Sequence, residues 1–502
     1  MSDKKPNIII ILVDDMGFSD LGCYGSEINT PNLNELAENG LRFSQFYNAA
    51  RCCPTRASLL TGLYAHQTGV GKMVNGQGDG PYQGYLNRDC VTIAEALKAG
   101  GYATYMSGKW HVGEDKPNWP LDRGFEKYYG LISGAMNYFD FTKGKSPDVK
   151  RHFAKQNDEH LPPSENFYAT DAFTDFAVEC IDSHENPDQP FFLYLAYNAP
   201  HWPLHALPED IEKYKGKYID GWPELRKQRY QQLVQMGFIQ SNWDLSEQDD
   251  AAKDWDSLDE ETKKTMDHKM AIYAAQIDRL DQGIGKVMQS LERNKHDENT
   301  LIMFLSDNGA SHESGALGQN FRPDLTGEMG TADSFHSYGL SWSNASNTPF
   351  RKHKSWVHEG GIATPFIIHW PEKVVKPGGI THQVGHIIDI MTTCCDVAGI
   401  EYPQQYNGKE ITPMEGKSLA PIFEDKNRIP HDLIFWEHFG NRAIRSGKWK
   451  LVEDSKNKAS IGWELYNMDE DRTELNNLID KEPDIVKELK EKYEKWAQRV
   501  KV

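Results

Sequence analysis

At 502 residues the chain is long enough for about three domains, although large α/β enzymes often place most of such a length in one. Apolar residues at 38%, with 13 Trp, 22 Tyr and 21 Phe, can bury a core, which excludes a disordered chain. The balance of 55 basic against 74 acidic residues, net −19, excludes the basic footprint of a nucleic-acid binder and general attraction to an anionic membrane surface, so an anionic substrate would need a local cationic pocket. In chain order, Met-Ser-Asp-Lys-Lys-Pro opens without a signal-peptide hydrophobic region, and no apolar run reaches the roughly 18 residues of a membrane span. As written the chain reads as cytoplasmic and without a membrane partner; it would be periplasmic or secreted if its start is that of a trimmed mature form. The apolar run 7–13 ends in Asp14-Asp15. A helical pattern over 91–99, stopped by Gly100-Gly101, precedes the run 102–106 and Ser107-Gly-Lys-Trp-His111. A second helix, 168–184, precedes the run 191–197 and Asn198-Ala-Pro-His201. The highly charged stretch 206–264 reads as a solvated surface insertion. A helix over 266–293 precedes the run 300–305 and Ser306-Asp-Asn-Gly309. Residues 310–348, rich in Gly, Ser and Asn, follow a strand end directly and read as an active-site loop or lid. A strand over 365–370 and a helix over 384–398 complete this part.

Continuous apolar runs alternating with helices predict an α/β fold: a large doubly wound, mixed but mostly parallel sheet flanked by helices. In such folds the site lies beyond the carboxyl ends of the strands, where all four polar clusters fall. After about residue 425 short alternating runs, 442–452 and 463–467, precede a helix over 483–500. They predict a smaller C-terminal α+β domain with an antiparallel sheet. The expected division is 1–424 and 425–502.

Asp14-Asp15 and Asp307-Asn308 stand at two strand ends. Either pair alone is as well explained by capping of the next element. Two such pairs converging would repel each other without a cation, and hard oxygen ligands suit Ca²⁺ or Mg²⁺. No paired His or Cys ligands accompany them, which argues against zinc. The seven cysteines are too few and odd in number for a disulfide scaffold, and no C-x-x-C spacing suggests a structural zinc site. In Arg51-Cys-Cys-Pro-Thr-Arg56, Pro54 fits a first helical turn, which puts Cys52 just before a helix N-terminus. Read alone, Cys52 is either a nucleophile or a buried thiol.

Cys52-Cys53-Pro54-Thr55-Arg56 with Leu60-Thr61-Gly62 resembles the type I sulfatase signature C-x-P-x-R-x-x-x-L-T-G, a family within the alkaline phosphatase superfamily. The likeness continues through Gly108-Lys-Trp-His111, Asn198-Ala-Pro-His201, Ser306-Asp-Asn-Gly309, the segment 347–354 and Glu359-Gly-Gly361. It implies a formylglycine-dependent, arylsulfatase-like sulfuric ester hydrolase, with 1–424 as its catalytic domain. Cys52 would be oxidised to Cα-formylglycine by a formylglycine-generating maturation enzyme. A hydroxyl of the aldehyde hydrate would attack sulfur, and the sulfated enzyme would release sulfate as the other hydroxyl collapses to the aldehyde. The resemblance further implies Asp14, Asp15, Asp307 and Asn308, with residue 52, as the metal ligands, Ca²⁺ ahead of Mg²⁺ or Mn²⁺. Asp307 would also be the base. Arg56 and Lys109 would fix residue 52, Lys109 and Lys354 would neutralise sulfate, His111 would take the proton in the collapse, and His201 would be the general acid.

Substrate contacts are expected from His205, His312 and His336, with Trp110, Trp119, Trp202 and Trp342 as candidate stacking platforms. A polar lid and spare histidines favour a carbohydrate sulfate over a small aryl sulfate. The alternatives are a phosphonate monoester or phosphodiester hydrolase of the same superfamily and a non-catalytic calcium- or carbohydrate-binding relative.

Overall fold

The computed structural model describes all residues except 1–3, 75, 77, 147, 149–150, 157, 160–163 and 456–461. Its large sheet comprises β1 Asn7–Asp14, β2 Leu41–Tyr47, β3 Ala103–Gly108, β4 Lys127–Leu131, β5 Phe153–Lys155, β6 Asp158–Glu159, β7 Phe191–Pro200, β8 Thr300–Ser306, β9 Ala363–His369, β10 Gly379–Thr381 and β11 Gly385–His386. The order is β10-β2-β9-β8-β1-β7-β3-β4-β5-β6, with β11 beside β2. The run β8-β1-β7-β3-β4 is parallel throughout. β9 is antiparallel to both neighbours, and β4-β5-β6 are antiparallel at the far edge. The continuous apolar runs have their cause here: Ile8 to Val13 of β1 are buried on both faces.

Register brings the polar ends together. Val13 pairs with Ser306 and Gly108 with Ala196, so the carboxyl ends of β1, β8, β3 and β7 share one rim. Around β1 the chain goes first to β2 on one side and then to β3 on the other, which opens a crevice at that rim. Gly108 is required there. It lies at φ 106°, and a Cβ would stand 1.9 Å from the Ala196 carbonyl oxygen.

Helices differ from expectation mainly at their ends. The helix Ile93–Ala99 starts on a Thr92/Glu95 capping box, and Ala169–Asp182 loses a residue or two at each end. The long helix Glu260–Arg293 begins six residues before the predicted start, because Asp259 accepts the Thr262 amide at 2.7 Å as its cap. The helix predicted over 384–398 is corrected to Asp389–Ala398: Gly385 and His386 pair with β2, and the Asp389 carboxylate caps the His386 amide at 2.9 Å.

The stretch 206–264 carries the helices Pro208–Glu212 and Gly221–Met236. Its lysines and many of its acids face outward, yet Trp222 and Trp255 pack on Trp342, and Arg229 binds Asp20 at 2.6 Å. Within 310–348 the last residues, Gly339–Ser346, form a fully buried helix. The earlier part folds on itself through Phe321 N to Phe335 O at 2.9 Å and Ser337 N to Gln319 O at 3.0 Å.

A hairpin of β12 Gln405–Tyr406 and β13 Lys409–Glu410 precedes the second sheet, β14 Ile434–His438, β15 Asn441–Ser446, β16 Trp449–Glu453 and β17 Trp463–Asn467, antiparallel in sequence order. The helix Pro483–Val500 lays Leu489, Tyr493 and Trp496 onto it, with the Phe435 and Trp496 rings stacked at 4.9 Å. A buried charge network joins the two sheets: Glu359 binds Lys450 and Arg472, both at 2.9 Å, and Tyr47 donates to Glu359 at 2.9 Å.

Candidate active site

Asp14 ends β1 and Asp15 follows at φ 70°, a left-handed conformation that turns its carboxylate back over the rim. Asp307 and Asn308 follow β8. The Asp15 amide donates to Asp307 Oδ1 at 3.3 Å, and Asn308 Nδ2 donates to Asp15 Oδ1 at 2.7 Å. All four side chains are buried, and Asp14 Oδ1 and Asn308 Oδ1 find no hydrogen-bond partner. Buried oxygens left unpaired beside three carboxylates form a hard donor set that a divalent cation would complete. Burial and the facing Asp14 push the Asp307 carboxyl well above its ordinary range, and Arg56 opposes them.

Cys52 opens the helix Cys52–Thr61, so it is the first helical residue rather than the one before it. It is 2% exposed, and its thiol faces Cys53 and His111. The Cys53 thiol donates to it and, against burial, Lys109 and His111 also favour the thiolate, holding Cys52 well below the usual thiol range. Burial and that neighbour push Cys53 well above it. One turn on, Arg56 donates to Asp307 Oδ2 from Nε at 3.1 Å and Nη2 at 2.8 Å, and from Nη1 to the Lys109 carbonyl at 2.8 Å.

Lys109, just past β3, donates to Asp14 Oδ2 at 2.5 Å. His111, at φ 57°, directs Nε2 to Cys53 Sγ at 3.3 Å, and burial lowers its pKa to about 4. His201, just past β7, has Nδ1 2.6 Å from the Trp202 carbonyl, which fixes the proton there, and Nε2 3.4 Å from Asp15. Burial lowers its pKa, and Asp15 opposes that. Lys354 is fully buried, with Nζ 2.8 Å from Asp15 and 3.5 Å from Glu313. The sheet therefore gathers Cys52, Arg56, Lys109, His111, His201, Asp307 and Lys354 around one point, although they span some 300 residues of chain.

The expected substrate residues divide. His205 has no nitrogen to offer: it is fully buried, Nδ1 accepts the Tyr138 amide at 3.3 Å and Nε2 meets the Ser334 carbonyl at 2.8 Å. Burial lowers its pKa to about 4, so it is a neutral strut under the loop. His312 packs its ring 4.7 Å from Trp356. His336, half-buried and also lowered to about 4 by burial, lies in the loop opposite Asn320. Trp110, Trp119 and Trp342 are core, their indole nitrogens satisfied by the Asn118, Glu114 and Met266 carbonyls. Trp202 is half-buried beside His201, its ring 4.5 Å from Phe321.

Sequence reasoning missed Glu313 and Arg51. Glu313 accepts Trp202 Nε1 at 2.5 Å and Arg51 at 3.1 Å. Although burial alone would raise it, Lys354 and Arg51 hold the Glu313 carboxyl well below its ordinary range. A single Glu in a Gly- and Ser-rich loop carries no local signal; only the fold delivers it to Lys354.

Comparison with known proteins identifies the family. The Sulfatase family profile matches residues 6–400, and that of the N-sulphoglucosamine sulphohydrolase C-terminal region matches 350–499. The chain is 35% identical to an uncharacterized sulfatase of Schizosaccharomyces pombe, covering 97% of this chain and 92% of that one. It is 34% identical to an arylsulfatase of Klebsiella aerogenes, covering 85% and 93%. The crystal structure of Ps i-CgsB in complex with k-i-k-neocarrahexaose superposes with a TM-score of 0.72 at 27% identity, covering 98% and 93%. Sulfatases generally use a metal ion and a formylglycine. With the profile covering most of the chain and the rim holding the side chains its motifs promised, the protein belongs to the sulfatase family and is a sulfuric ester hydrolase.

Proposed function

We propose that the substrate is a sulfate ester on a carbohydrate, that the resident metal is Ca²⁺ held by Asp14, Asp15, Asp307 and Asn308, and that Cys52 is converted to formylglycine by a maturation enzyme. The observation that carries the carbohydrate reading is the surface beside His201. Trp202 and Phe321 present half-buried rings, and the exposed Lys145 sits 5.2 Å from one ring and 4.3 Å from the other. Such a surface suits a sugar ring bearing a further anionic group. Ps i-CgsB, which this chain resembles over its length, was solved with a carbohydrate bound.

When present, the cation would polarise a sulfate oxygen and the aldehyde hydrate would supply the oxygen nucleophile. The chain's own residues do the rest. Arg56 occupies Asp307 Oδ2 and leaves Oδ1 the freer oxygen to accept the proton of the attacking hydroxyl. Lys109 and Lys354 offset charge on the sulfate oxygens. His201 donates a proton from Nε2 to the leaving alcohol, with Nδ1 anchored on Trp202 O and Asp15 favouring the charged ring. His111 Nε2, facing residue 52, takes the proton when sulfate is expelled.

The test compares inorganic sulfate release from sulfated oligosaccharides and from an aryl sulfate. Trp202→Ala should lower kcat/KM on the preferred oligosaccharide by about 10-fold, the worth of a lost stacking contact, and on the aryl ester by no more than about threefold. Equal losses on both substrates would refute the stacking role. Mass spectrometry of the residue 52 peptide checks conversion, which lowers the thiol mass by about 18 Da.

A further inference from the structure

Cys53 stands beside residue 52 and His111, yet the hydrolytic chemistry gives it no role. Cys52 Sγ, Cys53 Sγ and a ring nitrogen of His111 all lie within 4.8 Å of one another, and all three residues are buried. Cys53 Sγ stands 3.3 Å from His111 Nε2. Tetrahedral zinc, with Zn–S about 2.3 Å and Zn–N about 2.0 Å, needs ligand atoms roughly 3.5–3.8 Å apart, so these atoms need move by about an ångström at most. The thioether of Met73, a further soft donor, lies 3.9 Å from Cys53 Sγ. The His111 ring is held in place, because a Cβ on Gly134 would fall 2.6 Å from its Nε2, so it occupies a slot that glycine alone leaves open.

We propose that the chain in its thiol form binds one Zn²⁺ ion through Cys52, Cys53 and His111, at a second metal site beside the oxygen cluster. The two sites sort cations by softness, carboxylates and an amide for a hard ion, thiolates and imidazole for a thiophilic one. Charge allows it, because Zn²⁺ with two thiolates is neutral and can lie near Lys109 and Arg56 without a net repulsive charge. Sequence spacing gave no zinc signal because the third ligand comes from the end of another strand. The formylglycine form, which rests on the conversion proposed above, offers oxygen at residue 52 and loses the site. Zinc would then hold only unconverted chains and shield the residue that must be oxidised.

The test uses the full chain isolated in its thiol form, confirmed by mass, reduced and saturated with Ca²⁺, and titrated with Zn²⁺ against a chromophoric chelator. One equivalent should bind, and Co²⁺ in its place should give a sulfur-to-metal charge-transfer band. Cys53→Ser should weaken zinc by more than about 100-fold, since even outer partners of a metal ligand are worth 10–100-fold. Because Cys53 is not the residue converted and a serine hydroxyl can still meet His111 Nε2, that variant purified in converted form should keep most of its arylsulfatase activity, which shows that it folds. The converted wild-type chain should bind zinc as weakly as the variant. No zinc bound in the presence of Ca²⁺, no charge-transfer band, or equal affinity in wild type and Cys53→Ser would overturn the proposal. A thiol form that binds zinc normally but is never converted in its host would instead refute the formylglycine reading and leave the zinc site standing.

Discussion

Lys354 is the most exacting place to ask whether this rim is built for a transition state. Its ammonium is fully buried, 2.8 Å from Asp15 and 3.5 Å from Glu313, so its position is set before substrate arrives. At an effective dielectric of about 20, a unit charge roughly 4 Å from the transferring group is worth about 4 kcal/mol. Part of that acts equally on the bound ester, which is already anionic, and only the part matched to charge growing on the leaving oxygen raises the rate. A net effect of about 2–3 kcal/mol remains, so Lys354→Ala should lower kcat by about 30- to 150-fold while KM changes by less than about threefold. Steady-state kinetics on an aryl sulfate at saturating Ca²⁺ measures both. The variant should also bind Ca²⁺ no more weakly than wild type, because a cation beside Asp15 has been removed. An unchanged kcat with a raised KM would mean that Lys354 binds ground and transition states alike, and the argument from growing charge would fail.

Chelation should abolish activity and lower the melting temperature, and on the proposed Ca²⁺ site Ca²⁺ should restore both at lower concentration than Mg²⁺, which dehydrates reluctantly and is seldom held by an all-protein cage. Glu313→Gln removes one of the carboxylates facing Lys354 and should raise the affinity for the product sulfate, read by calorimetry, by about 10-fold or less, the worth of one partly screened charge. Acid stability should turn on Glu359. Burial alone would raise its pKa, but Lys450 and Arg472 outweigh that and hold it at about 2, against an ordinary 4.5. Because the folded pKa is the depressed one, the stabilisation is complete above about pH 4.5 and is lost as pH falls toward 2, on the order of 3 kcal/mol in all. Glu359→Gln should lower the melting temperature at pH 7 and flatten its fall between pH 5 and 3, and a parallel fall in wild type and variant would show that other groups control acid unfolding.

The parallel core was legible because a strand buried on both faces must be apolar along its length, and β1, β7 and β8 are. Their polar ends were legible for the same reason, since an apolar run stops abruptly only where the chain leaves the sheet. Helix limits were less so. The start of Glu260–Arg293 depends on Asp259, one acid among many in a charged stretch, and the start of Asp389–Ala398 on pairing of Gly385 and His386 with a strand more than 300 residues away. Residue type could not separate a ligand-facing aromatic from a core one. Trp110, Trp119, Trp202 and Trp342 are alike as letters, and burial distinguishes Trp202 only after the loop 310–348 has folded. His205 looked available for the same reason, until Tyr138 and Ser334 took both of its nitrogens.

The charge of the whole chain misleads about the site, and the side chains at the rim show why. Arg51, Arg56, Lys109 and Lys354 face Asp14, Asp15, Asp307 and Glu313, each cation within 4 Å of one of these carboxylates. With all four carboxylates ionised, four positive charges against four negative ones leave the pocket neutral, inside a protein of net −19. A neutral pocket has no reason to draw in an anionic ester across such a field. The divalent cation proposed for the oxygen cluster would tip the balance to two positive charges, enough to hold a sulfate monoester of charge −1 and still favour the charge that gathers on the departing oxygen. On the proposed function the carboxylates would have two roles that conflict without the ion: they fix the lysines and arginines by ion pairs, and they would hold the cation that frees those same side chains to face sulfate. Breaking either half should cost more than the sum of the contacts removed, since an unpaired buried charge is left in each case.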